Sequence, residues 1–357
     1  MTTLSSTDAE QRARLNQAKL RAIVRGLLRA PLGAGAANPE PAENLELEDR
    51  ALGGVAALVV PPSLGREQRA TGYVLAAGQA GIGAALVWAR RQPEPLQLAI
   101  IAEGDSAGIL ARRARYFVEE PIVYLLTGTD VSVADPAAHL PVMVADPAAL
   151  AAVAPLRAAG VDVVVEHGVV TAELSGLEVA RVMPDAEGDG FHLEVGVGRY
   201  DREAARLMQA VRSTEEVTRT VIQVVRDHRR PGETPHLLNR LARQRWLRSM
   251  LLADPALVGA TALQPIEPPA PRENLIEPVP AMAAGTALDG HPVVVACCVG
   301  VDPEAMPTAA DVRDRTNPEA ELIYVSPARD QYRAVRELAE ALHRPARMVA
   351  LDGQWAD

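Results

Sequence analysis

Three groups of residues in this chain have types and spacings suited to chemistry. The first is Gly104-Asp105-Ser106-Ala107-Gly108, between the apolar run "LQLAIIA" and a helix-like run that ends near Phe117. A serine between glycines at a strand-to-helix turn stands exposed above a sheet, which makes Ser106 a candidate nucleophile. Such a serine needs a histidine, and His167, His192 and His236 lie downstream. The second group is Glu178 in "GLEVARV" and Glu194 in "HLEVGVG", on successive strands. Two carboxylates so placed could hold a divalent ion through oxygen. The third is the run "RDHRRPGETPHLLNRLARQRWLRSM", whose arginines include Arg226, Arg229, Arg230, Arg240, Arg243, Arg245 and Arg248. Guanidinium forks suit phosphate or carboxylate, so Arg229, Arg230, Arg240, Arg243 and Arg245 are the expected ligand contacts.

Each group also has a plain structural reading. Asp105 or Ser106 can cap a helix, as Asp201 and Asp302 can at two similar junctions. Glu178 and Glu194 can point outward from half-exposed strands. A charge run can be a solvated helix face paired with an acidic remainder.

The segment Ile100 to Leu110 resembles the serine motif of the hormone-sensitive-lipase-like esterases. That resemblance implies Ser106 as nucleophile, with a histidine and an acid supplied by the fold. No His-Gly-Gly run precedes it to form the oxyanion hole, and too few strands lie upstream for that fold. The two acids before a helix resemble a metal-dependent nuclease core, which implies Glu178 and Glu194 as metal ligands. The lysine of that pattern is replaced by Gly196. "GLEVARV", "LEVGVGRYDREA" and "VGVDPEAMPTAADVR" are similar to a family of actinobacterial proteins. That resemblance implies a lineage and no catalytic residue.

Composition excludes more than it selects. Lys19 is the only lysine, so there is no Schiff-base lysine in a plausible core and no phosphate-binding Gly-Lys-Ser/Thr loop. Gly196-Val197-Gly198 follows a strand, but Asp201 stands where a dinucleotide fingerprint needs its third glycine. Cys297 and Cys298 are adjacent inside "PVVVACCVG", which predicts buried thiols in a reducing compartment. No metal-ligand spacing of His or Cys occurs, and no cofactor is expected. The net charge of −10 argues against wholesale coating of nucleic acid or anionic membrane. Gly72–Ala89 carries no formal charge, but its few strong apolar residues supply only about −2 to −3 kcal/mol toward insertion. A Gly/Ala-faced helix packed on a sheet is expected there, and no membrane span. The first twenty residues lack an apolar core, so a cytoplasmic protein is expected.

The elements that must position these groups follow from periodicity. Residues 9–30 predict an amphipathic helix with Leu20, Ile23, Val24, Leu27 and Leu28 on one stripe. A linker covers residues 31–45. Alternating strands and helices follow, and then "VDVVVEHG", "VVTAELSG", "LEVARVMP" and "FHLEVGVG" form an antiparallel meander. The fold class is α/β: a mixed-sheet region with the meander over 46–212, then an Arg-rich helical segment over 213–255. A Pro-rich connector over 256–290 and a C-terminal βαβ region over 291–357 complete it. Ser213 and Glu216 predict a capping box. The functional expectation is a binding or regulatory protein that recognises a phosphate-bearing or acidic partner, nucleic acid included, through the arginine-rich helices. Its alternatives are the Ser106 hydrolase and an inactive or divergent metal-dependent nuclease-like domain, and self-association is left open.

Overall fold

The computed structural model describes residues 6–29, 48–52, 55–62, 69–79, 81–185, 188, 190–198, 201–203, 213–230, 236–272, 274–276 and 279–353. The linker over 31–45 and most of the helix expected at 201–211 lie outside the described residues. Mixed helices and sheets make an α/β fold, and contacts divide it into two units.

The first unit holds Met1–His139 together with Glu340–Arg344. It runs α1 (Ser6–Arg29), β1 (Glu48–Leu52), β2 (Val55–Val60), β3 (Thr71–Leu75), α2 (Ile82–Arg90), β4 (Gln97–Glu103), α3 (Asp105–Ala114), β5 (Ile122–Thr127) and β6 (Asp130–Val133). The six strands lie in sequence order; β3, β4 and β5 are parallel and the outer pairs antiparallel. The predicted stripe of α1 covers one face, with Leu20 and Val24 buried against Leu58, Tyr73, Ala99 and Ile101. Each such side chain contributes about 1.5–3 kcal/mol by leaving water. Helices α2 and α3 pack on β4 and β5, against the alternate residues Leu98 and Ile100.

The stretch expected as one Gly/Ala helix, Gly72–Ala89, is instead β3, a turn and α2. Gly78 (φ 63°) and Gly81 (φ 130°) take left-handed conformations that break the helix there. Gly72 lies beneath Trp88, whose ring would meet an added Cβ at 2.7 Å. Among the described residues no helix is long and apolar enough to cross a membrane.

The second unit holds Leu140–Ala339 and Pro345–Asp357. The region drawn as 46–212 from sequence is therefore divided at His139, and the meander groups with the C-terminal sheet. After α4 (Pro147–Val153) come β7 (Asp162–Glu166), β8 (Val169–Leu174), β9 (Leu177–Pro184) and β10 (Phe191–Val195). They form the expected antiparallel meander, in the order β10-β9-β8-β7. Helices α4 and α5 (Thr214–His228) cover one face through Val153, Val217, Ile222 and Val225. The capping box of Ser213 and Glu216 opens α5.

Next come α6 (Arg243–Ala253), β11 (Ala260–Ile266), β12 (Ala281–Ala287), β13 (Pro292–Cys297), α7 (Ala305–Thr316), β14 (Glu321–Ser326), α8 (Arg333–Glu340) and β15 (Arg347–Ala350). The five strands lie in sequence order, with β11, β12 and β13 antiparallel and β13, β14 and β15 parallel. The expected Pro-rich connector thus contains two strands. Pro265 is tolerated in β11 because that strand lies at the sheet edge.

The run α6-β11-β12-β13-α7-β14-α8-β15 repeats the order α1-β1-β2-β3-α2-β4-α3-β5, with the same parallel and antiparallel pairings. A Pro-Glu step precedes the middle parallel strand in both, Pro93-Glu94 before β4 and Pro318-Glu319 before β14. In both, the opening helix packs on the antiparallel strands.

Candidate functional site

The meander's second face is charged, and it is buried. Its hairpins turn at His167-Gly168 (φ 53° and 75°) and Ser175-Gly176 (φ 49° and 71°). Paired positive φ values match the right-handed twist of two-residue hairpins. A register shift after Ala172 sets Glu173 directly opposite Glu178. Like charges so placed repel, and counter-charges must answer them.

Helix α6 answers the first. Arg245 and Arg248 lie three residues apart and so share one helix face. Arg245 reaches Glu166 at 2.6 Å and Glu173 at 2.8 Å; Arg248 reaches the same two at 2.8 and 3.1 Å. Two guanidiniums and two carboxylates close a ring, and Arg248 is only 1% exposed. Burial alone would raise the Glu166 carboxyl, but Arg248 and then Arg245 outweigh it and hold its pKa down at about 2. The opposite face of α6 places Trp246, Leu247 and Leu251 against Val293, Val295 and Ile323 of the five-stranded sheet. The ring therefore fastens the meander to a helix that is itself part of the second core.

Two further details hold α6 in place. Gly176 lets the backbone come close: an added Cβ would sit 2.1 Å from the Arg245 carbonyl carbon. Arg229, at the end of α5, donates to the carbonyls of Ser175 (2.8 Å), Leu238 (2.6 Å), Leu241 (2.9 Å) and Ala242 (3.1 Å). Its guanidinium also lies 4.6 Å from the Trp246 ring centre. Burial pushes its pKa down to about 9, with Glu173 acting in the opposite direction.

Glu178 and Glu194 lie on paired strands, with an arginine between them. Arg181 binds Glu178 with two bonds of 3.0 Å, and Arg202 reaches Glu178 at 2.8 Å and Glu194 at 3.8 Å. Guanidiniums occupy both Glu178 oxygens. Among the described residues no group of three or more His, Cys, Asp or Glu side chains is arranged to hold a metal ion.

The five expected arginine contacts separate into two kinds. Arg229 and Arg245 are buried and engaged inside the second unit, Arg229 by backbone carbonyls and Arg245 by Glu166 and Glu173. Arg230 and Arg240 are exposed and Arg243 is half-buried. Arg230 pairs with Asp227 at 2.6 Å at the surface. Beside them the rings of His228 and His236 stack 4.0 Å apart.

Ser106 is the second residue of α3, half-buried, and it makes no side-chain hydrogen bond among the described residues. The left-handed residue at the turn is Gly104 (φ 57°), at the helix N-cap, and not the serine. Neither Asp105 nor Ser106 caps the helix. Gly108 is explained by packing: its carbonyl accepts Ala137 N–H at 2.9 Å, and an added Cβ would meet Ala137 at 3.0 Å. A cleft of about 880 Å³ in this unit opens at the amino end of β4, near Arg69, Arg90 and Gln97, at the opposite end of the strand from Ser106.

A polar cluster that sequence reasoning missed lies at the carboxyl ends of β13 and β14. Asp330 accepts Gly300 N–H at 2.7 Å, and Asp302 accepts Glu304 N–H at 2.9 Å. Burial raises the carboxyl of Asp302, and raises Cys298 and Tyr324, which hydrogen-bond each other. Cys297 is likewise pushed up to about 12 by burial, so both thiols stay protonated as expected for core cysteines. Ser326, with no exposure, has an unpartnered hydroxyl.

No protein-family model, no curated protein and no solved structure matches this chain.

Proposed function

We propose that the protein is a binding module for a phosphate-bearing polyanion, without chemistry of its own, and that Arg230, Arg240 and Arg243 make the contacts. The observation that supports this is the division of the arginine run. Arg229, Arg245 and Arg248 are turned inward on partners they cannot release cheaply, since breaking a buried pair costs about 3–5 kcal/mol. Arg230 has an exposed pair with Asp227, worth about 0–1 kcal/mol, and an exposed hydrogen bond to the Arg226 carbonyl, and can exchange the pair for phosphate. Arg240 is exposed on the short 3-10 turn Leu237–Arg240 beside the stacked His228 and His236 rings. Three such contacts predict modest affinity and a slope of about −3 in log Kobs against log salt for duplex DNA.

Fluorescence anisotropy with a labelled short duplex and a labelled single strand, and competition by polyphosphate, test the reading in low salt. Binding that weakens on that slope and is lost in the Arg230→Ala/Arg240→Ala/Arg243→Ala variant supports it. Absence of binding at low salt, or binding unchanged in the triple variant, overturns it.

A further inference from the structure

The exposed arginines of the run lie next in sequence to two flat rings and one bare apolar side chain. His228 closes α5, and His236 opens the 3-10 turn Leu237–Arg240. Their rings lie face to face, 4.0 Å between centres and 10° from parallel. Arg230 follows His228 by two residues, and Arg240 ends the turn that His236 opens. Leu237, next to His236, is 73% exposed. Guanidiniums alone would suffice for phosphate, so the rings offer a partner something more.

The His236 ring is fixed in two ways. His228 covers one face, and Nδ1 accepts the Leu238 backbone N–H at 3.3 Å. The residue is nevertheless exposed, whereas His228 is half-buried. With one face stacked and Nδ1 engaged, the surface that water reaches is the other face and the Nε2 edge. The stack is therefore open at the His236 end, and a flat group laid there would extend it. A ring already held still loses little freedom when it binds. A polyphosphate chain has no flat face to offer. The bases of a duplex are stacked on one another and show only their edges in the grooves. An unpaired base has free faces and a phosphate attached, and such bases stack on imidazole rings.

We infer that the polyanion is a single-stranded nucleic acid, and that the stacked pair of His228 and His236 is the platform for one of its bases. The base continues the stack on the open face of His236, Leu237 offers an apolar contact beside it, and Arg230 and Arg240 hold the adjoining phosphates. This inference rests on the polyanion reading above and narrows it: the arginines supply the attraction, and the rings supply the preference for unpaired bases.

Fluorescence anisotropy of the full chain at one low salt concentration tests it, with two labelled DNA strands of equal length and charge. One carries bases and the other is abasic. The strand with bases should bind about 5- to 100-fold more tightly, the contribution of one stacked base. His236→Asn keeps an acceptor for the Leu238 N–H but has no ring, and it should bring that ratio close to one. His236→Phe keeps a flat ring but has no acceptor, and it should preserve the ratio. The pair thus separates stacking from capping, and if either variant does not fold the other decides. Equal affinity of the two strands for the wild type overturns the inference, as does a ratio that survives in His236→Asn. So does a ratio lost in His236→Phe while that variant stays folded. If the abasic strand and polyphosphate bind as tightly as the strand with bases, the polyanion reading stands and only the base platform falls. If no polyanion binds, both fall.

Discussion

The sheets β1–β5 and β11–β15 share one order of elements, yet their opening helices are used differently. Helix α1 covers its sheet with an ordinary apolar stripe, and its one lysine meets Glu103 in an exposed pair. Helix α6 has an apolar face too, through Trp246, Leu247 and Leu251, but its other face carries Arg245 and Arg248 into a buried ring with the meander. The carboxyl ends of the parallel strands differ in the same direction. Glu103 at the end of β4 and Asp105 just after it are exposed, whereas Tyr324 and Ser326 on β14 and Asp330 just after it are buried. The same scaffold is thus a simple layered sheet in one unit and the anchor of a second sheet in the other. The interior charge follows the added sheet, not the shared order.

Breaking the ring should separate the two helices most sharply. Arg248→Met leaves Glu166 and Glu173 sharing one arginine, and it should cost about 3–5 kcal/mol in denaturant titrations. Lys19→Met, in the corresponding helix of the first unit, should cost no more than about 1 kcal/mol. Equal losses would show that the ring is no more important than a surface pair.

The glycines allow a second contrast. Gly176→Ala forces a side chain into the α6 backbone from a left-handed residue and should cost about 3–4 kcal/mol. Gly104→Ala has only conformational strain, with open space around it, and should cost about 1–2 kcal/mol in the same titration.

Acid should reach the ring through Glu166. Glu166 has its pKa lowered on folding from 4.5 to about 2, so its stabilisation is complete above about pH 5 and lost as pH falls toward 2. That is worth about 3 kcal/mol, and Glu166→Gln should remove that part of the acid sensitivity when stability is measured against pH. An unchanged pH profile in the variant would mean that the ring does not hold Glu166 ionised.

The smallest expected effect concerns Ser106. Ser106→Ala should change stability by no more than about 0.5 kcal/mol, and a fluorophosphonate probe should label neither protein. Labelling of the wild type that disappears in Ser106→Ala would give the first sheet a chemistry the second lacks, and would reverse the comparison.

What the sequence disclosed depended on whether the deciding contacts were local. The stripe of α1, the strand "VAALVV", the capping box at Ser213 and the meander were all legible, because period, cap and turn residues lie within a few positions of one another. Strands β11 and β12 were not, since "ATALQPI" and "AMAAGTA" are poor in β-branched residues and owe their conformation to burial between neighbours. The inward turn of Arg245 and Arg248 was also hidden. Their carboxylates lie 72 to 82 positions away, so a buried lattice and a solvated charge run look alike along the chain. That Glu178 and Glu194 sit on successive strands was legible, whereas Arg202 between them was not.

Two of the three indoles lie among the described residues and give each unit its own optical reporter. Trp88 sits over Gly72 in the first unit, and Trp246 sits under the Arg229 guanidinium in the second. Both are buried, so both emit from an apolar setting while their unit is folded and shift to the red when it opens. Among the described residues, a cation lies over the ring of Trp246 and none over that of Trp88. With Trp355 replaced by Phe, single-indole forms would let the opening of each unit be followed by colour alone, and would show whether the meander lets go together with the helix it is fastened to.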